Sequence, residues 1–265
     1  MLSFYLILAI FPLLLFLVSL LGVILQQSGA ALHQALEHYL IRVAPASAPG
    51  VIDSTLAGIR RGSSGGTLSL SLVFSLWVAS SGFAAVIDAL NAAYDVKETR
   101  PWWKQRLVAL GLTFGIVLLL AAALILLGYG DRIPLWLSGR LHFGSAWFAV
   151  GWNVLKWLLL LGFLLMAFNV LYIYAPNVER RRWHWLMPGT VLGVGLWLLV
   201  SYGFKLYLGF FNTYNLTYGS IAAVIILLLW LYLSGIAMLV GGELNSEIEK
   251  WTGRVEPPPA ARQTS

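Results

Sequence analysis

Nine residues have the types and placement to handle an ionic or amphipathic molecule: Asp88, Asn91, Tyr94, Arg100, Lys156, Lys205, Asn215, Tyr218 and Glu243. Asp88, Asn91, Tyr94 and Asp95 recur at three- and four-residue spacings, so one helix face would carry them. Lys97, Arg100 and Lys104 follow, with Trp102 and Trp103 beside them. This elbow reads either as a helix cap with a positive membrane anchor, or as a gate or phosphate-headgroup site. Arginine suits the second reading because its planar fork matches phosphate. Arg180, Arg181 and Arg182 form a second basic cluster with the same two readings.

Lys156 and Lys205 are the two charges inside apolar runs. They either snorkel to headgroups or face a cavity that holds an anionic headgroup. Asn212 to Ser220 is polar, aromatic and uncharged, and is expected as a loop. Its residues Asn215 and Tyr218 are either interfacial belt positions or the rim of a substrate mouth. Asp88 and Glu243 are expected at helix ends, leaving no carboxylate at mid-membrane.

Hydrolytic chemistry finds little support. A metal nuclease clusters carboxylates or histidines around its ions. Here His33, His38, His142 and His184 are spread along the chain. His33 and His38 are five apart, off the three- or four-residue spacing that puts two ligands on one helix face. Gly-x-Ser-x-Gly, the P-loop and Gly-x-Gly-x-x-Gly are absent. No catalytic, metal or cofactor-binding residue is expected, and no cofactor. With no cysteine, neither disulfides nor thiolate metal sites can form.

These side chains must be positioned by membrane helices. Of 265 residues, 59% are hydrophobic and 11% charged. A soluble domain carries about 25% charged residues. Six runs reach the roughly 20 apolar residues a spanning helix needs. They are Leu2–Leu25, Leu68–Leu90, Leu107–Leu127, Ala149–Tyr174, Pro188–Phe211 and Ser220–Gly242. Backbone groups in lipid must pair internally, so the runs predict helices, and Pro12 should kink the first. Residues 31–61 predict two short amphipathic helices outside the membrane, broken at Pro45–Gly50. Residues 1–255 then form one all-α domain, with 256–265 a disordered tail.

The net charge of +6 follows the same topology. With the N-terminus cytoplasmic, ten Lys and Arg fall inside: Lys97, Arg100, Lys104, Arg106, Arg180, Arg181, Arg182, Lys250, Arg254 and Arg262. Five fall outside: Arg42, Arg60, Arg61, Arg132 and Arg140. The bias predicts both termini in the cytoplasm, with no nucleic-acid partner needed to explain the charge. Small-residue pairs Gly111/Gly115 and Gly189/Gly193 predict close helix approaches, more within the chain than between copies.

Three stretches carry a family resemblance. They are Leu90–Tyr94 continuing through Glu98–Trp102, Pro188–Gly189, and Phe211–Ser220 followed by Leu229–Tyr232 and Gly242–Asn245. With Phe4–Tyr5 and Phe11–Leu14, in collinear order, the chain resembles the YihY/BrkB family of bacterial inner-membrane proteins, once labelled ribonuclease BN. The resemblance implies six spans with cytoplasmic termini. Some members are linked to serum resistance and others to lipid or lipopolysaccharide traffic. Members usually carry a polar segment before the first span. Met1 here already lies in the apolar run, implying an upstream extension or a shortened variant.

The expectation is a non-enzymatic inner-membrane transporter or flippase of an amphipathic anionic molecule, with membrane lipids as partners. The alternative is a scaffold that recruits an envelope protein.

Overall fold

The computed structural model describes residues 65–130, 146–178, 187–210 and 214–252, with Ala9, Leu13, Phe16 and Leu17. Five helices order the described chain: α1 (Gly65–Ala93), α2 (Trp102–Tyr129), α3 (Ala146–Tyr174), α4 (Pro188–Phe210) and α5 (Tyr214–Trp251). All five are long and apolar enough to cross a membrane, and no strand occurs among the described residues. They correspond to the second through sixth expected spans. Most of the first span, the 31–61 segment, the Arg180–Arg182 cluster, the four histidines and the 256–265 tail lie outside the described residues.

The ends of α5 differ from expectation. The helix starts at Tyr214, so Asn215 and Tyr218 sit in its first turns and not in a loop. No proline interrupts Tyr214–Ser220, and a helix already formed downstream extends at one hydrogen bond per residue. At the other end α5 continues past Gly242 to Trp251. Hydropathy ends the run too early because Asn245, Ser246 and Glu249 are polar yet buried, sharing the inward face with Gly241 and Gly242.

Contacts divide the chain into two compact units. One gathers residues 1–10, 80–112 and 165–265. The other holds residues 11–79 and 113–164. In the second, Phe16 and Leu17 of the first apolar run are buried with Val117 and Ala121 of α2, and Leu13, Leu76, Leu124 and Ile125 pack around them. In the first, Tyr172 is fully buried, meets Phe168 edge-on, and donates its hydroxyl to the Met238 carbonyl at 2.7 Å. Gly193 and Gly241 make room for it. A Cβ on Gly193 would lie 2.5 Å from the Tyr172 oxygen, and one on Gly241 would collide with it. Gly189 packs against the Gly241 backbone in the same way. The small-residue expectation therefore holds within the chain for Gly189/Gly193. At Gly111/Gly115 there is no close approach within the chain, since an added Cβ would meet nothing within 4 Å.

Helix α1 stops through a Schellman arrangement. Val96 N–H reaches the Asn91 carbonyl at 3.0 Å, Asp95 N–H reaches the Ala92 carbonyl at 3.1 Å, and Asp95 adopts φ 56°. A left-handed residue with a Cβ is disfavoured by about 1–2 kcal/mol. Asp95→Gly should therefore raise the melting temperature slightly in detergent, and Asp95→Val should lower it.

Candidate functional site

The elbow between α1 and α2 is a hydrogen-bonded clasp. Arg100 grips both Glu98 oxygens through one edge: Nε to Oε1 at 2.8 Å and Nη2 to Oε2 at 2.7 Å. The Arg100 backbone N–H adds a third bond to Oε1 at 3.0 Å. The same guanidinium then donates to the Ala175 carbonyl at 2.8 Å and, at 3.5 Å, to that of Tyr174. These are terminal carbonyls of α3, which have no partner within the helix, and a cation there also meets the negative end of the helix dipole. Asn91, 4% exposed, donates Nδ2 to Glu98 Oε2 at 2.8 Å and accepts the Asn177 N–H on Oδ1, also at 2.8 Å. Asn177 Nδ2 closes the ring on the Lys97 carbonyl at 3.1 Å and Thr99 Oγ1 at 2.7 Å. Arg100 Nε and Nη2 are therefore engaged inside the fold.

The face expected to carry Asp88, Asn91, Tyr94 and Asp95 divides. Asn91 and Tyr94 are buried, while Asp88 and Asp95 are exposed. At 100° per residue Asn91 is rotated about 60° inward from Asp88, and Asp95 lies past the helix end. Asp88 Oδ1 accepts from Gln105 Nε2 at 2.8 Å. Tyr94 lies against Gly242 of α5 beside Leu90.

Two more helix ends are closed by side chains from a neighbouring helix. Met187 caps α4 with its carbonyl, Pro188 takes the first helical position, and Gly189 N–H donates to Asn245 Oδ1 of α5 at 2.8 Å. Asn245 is 2% exposed, and Oδ1 supplies the partner that an initial helix N–H lacks. Nearby, Thr190 Oγ1 donates to Asn169 Oδ1 at 3.3 Å. In the other unit, Trp152 Nε1 donates to the Gly130 carbonyl at 2.5 Å, just past the end of α2. Lys156, one turn further along α3, lays its stem against Gly130 and is 7% exposed. It is buried against a helix C-terminus, where a cation is favoured.

Lys205 behaves differently. It is exposed on α4, near exposed Tyr202, Leu206 and Tyr207. Glu243 is also exposed, within the apolar stretch Ile225–Trp251. Asn215 and Tyr218 are placed in α5 by their backbone alone. Trp102 and Trp103 are exposed at the start of α2, with Lys104 Nζ 5.3 Å from the Trp103 ring centre. Among the described residues no three His, Asp or Glu gather as metal ligands. Sequence reasoning missed Asn177 and Tyr172, and had Glu98 only as the opening of the Glu98–Trp102 stretch. Asn245 had a signal, since it closes the Gly242–Asn245 stretch.

The Arg100 guanidinium hydrogen-bonded to Glu98 holds its carboxyl below the ordinary range, against the opposite push of burial. The Arg100 N–H and Asn91 reinforce the lowering. A depressed carboxyl stabilises the fold above its unfolded pKa and loses that contribution as pH falls through the folded value. The pH melting profile should therefore stay flat near neutrality and fall below about pH 4.5. Glu98→Gln should flatten that acid limb.

Apolar helices of spanning length, with their ends closed by side chains inside the fold, define an α-helical integral membrane protein. The chain matches the family described as Virulence factor BrkB over residues 1–264, and it belongs to that family. It is 34% identical to the ribonuclease-like protein YfkH of Bacillus subtilis (strain 168), covering 94% of this chain and 88% of the relative. A UPF0761 membrane protein of Tolumonas auensis is 28% identical over 70% of this chain, which spans 59% of that relative's length. One from Xanthomonas campestris pv. campestris (strain B100) is 42% identical over 30% of this chain and 18% of its own length. No solved structure matches.

Proposed function

We propose that this protein moves an anionic amphipathic molecule, a lipid, across a bacterial inner membrane, with both termini in the cytoplasm and no catalytic step. The observation that carries this reading is Lys205. It is an exposed cation within Pro188–Leu208, the least buried of the spans. A charge on a lipid-facing helix draws water and headgroups inward and thins the bilayer locally. That lowers the barrier an anionic headgroup meets, and exposed Tyr202, three residues before Lys205, adds a polar group on the same helix face. The cytoplasmic placement of the termini rests on the ten-to-five Lys and Arg bias.

Purified protein in vesicles should make a labelled anionic phospholipid of the inner leaflet accessible to an impermeant quencher. Rates equal to those of protein-free vesicles would overturn the reading. One observation favours a scaffold instead: Asn91, Arg100, Lys156 and Asn245 serve helix ends and do not line a passage. Co-purification of one envelope protein at fixed stoichiometry, without lipid movement, would decide for it.

A further inference from the structure

A groove of about 340 Å³ runs between α1 and α5, lined by Ala89, Ala92, Ala93, Leu239, Val240 and Glu243. Alanines on the α1 wall leave the gap, and Leu239 and Val240 make the other wall apolar. The groove belongs to the apolar stretches Val73–Ala93 and Ile225–Trp251, so bilayer hydrocarbon is the medium that meets it. Its one charged lining residue is Glu243, which is exposed.

Along the α1 and α5 walls the nearest exposed charges are carboxylates, and the first exposed cation past the α1 end is Lys97, two residues after Asp95. Asp88 is exposed one turn before Ala92 on the same face of α1, and Asp95 is exposed three residues after it. Asp88 accepts a hydrogen bond from neutral Gln105, which leaves its charge in place. On α5 the next exposed charge is Glu247, one turn beyond Glu243. The cation that follows, Lys250, is spent on Glu247 at 3.1 Å. An anionic headgroup above this groove would therefore meet carboxylates. A quaternary ammonium would match their sign but has no N–H to donate. A primary ammonium matches both the charge and the acceptor.

We propose that the groove seats part of one acyl chain of a phospholipid whose headgroup carries a primary amine, with the ammonium at Glu243. This assignment needs the membrane setting alone and does not rest on lipid movement at Lys205.

The test is native mass spectrometry of the full chain in detergent. The probe is an equimolar mixture of phosphatidylethanolamine, phosphatidylglycerol and phosphatidylcholine with identical acyl chains. The amine lipid should be retained with a preference of about tenfold, the scale of one charge-assisted hydrogen bond. Glu243→Gln should bring the three lipids close to parity. Ala92→Leu, at an exposed position, should fill the groove and lower retention of the amine lipid with Glu243 intact. Equal retention of the three lipids by the native chain would overturn the assignment, as would an undiminished preference in Glu243→Gln. Retention of the amine lipid by a chain that moves no lipid in vesicles would sink the transport reading and leave this one standing.

Discussion

Gly241→Ala is expected to lower unfolding stability in detergent by about 2–3 kcal/mol, the range of an overpacked core. The added methyl would collide with the Tyr172 hydroxyl and stand 2.5 Å from the Gly189 carbonyl and 3.0 Å from the Gly193 Cα. A side chain end could move aside, but two of these three neighbours are backbone. Helix α5 would have to separate from α4, breaking the 2.7 Å bond from Tyr172 to Met238 and the 2.8 Å bond from Gly189 to Asn245. Gly195→Ala is the matched control, because its Cβ would meet nothing within 4 Å. It should leave the melting temperature unchanged or raise it, since alanine is the better helix former. Equal losses in the two variants would contradict the close approach of α4 and α5.

The second large effect is expected at Arg100. Arg100→Ala removes both side-chain bonds to Glu98 and uncaps the Ala175 carbonyl. The two side chains are 17% and 20% exposed, so the carboxylate left behind is only partly hydrated. Charge-assisted bonds of this kind are worth about 1.5–3 kcal/mol, so a loss of about 2–3 kcal/mol is expected at neutral pH. Arg100→Lys should recover part of it, because an ammonium keeps the charge but not the paired fit to both oxygens. In Glu98→Gln, Arg100→Ala should lose less than in the native chain, since no carboxylate is stranded. A double-mutant cycle measured by thermal melting checks this, and additive losses would contradict the clasp.

The helices were legible because lipid forces long apolar runs, and no competing pattern imitates them. Their polar partners were harder to read. Asn91 and Arg100 were recognisable as unusual, but their role depends on Asn177 and Ala175, 86 and 75 residues away in sequence. Spacing along one helix cannot report a partner on another. Lys156 was visible as an intramembrane charge, yet only the fold shows Gly130 beside it. The glycine pairs show the same limit. Gly189/Gly193 and Gly111/Gly115 have the same spacing, but only the first pair faces another helix closely. Glu243 was readable as a helix-end acid, and the alanines that make it part of a groove were indistinguishable from ordinary span residues.

Buried polar groups hold helix ends, and the proposed lipid movement rests on the exposed cation Lys205. The most direct measurement is the transbilayer rate of a labelled anionic phospholipid in vesicles, for the native chain, Lys205→Leu and Lys156→Met, with each variant's melting temperature. Lys205→Leu should lose about tenfold or more in rate, the equivalent of about 1.4 kcal/mol in barrier, with its melting temperature unchanged. Lys156→Met should lose stability and keep the rate per folded molecule. A Lys205→Leu chain that moves lipid as fast as the native one, or a native chain no faster than empty vesicles, would contradict the account.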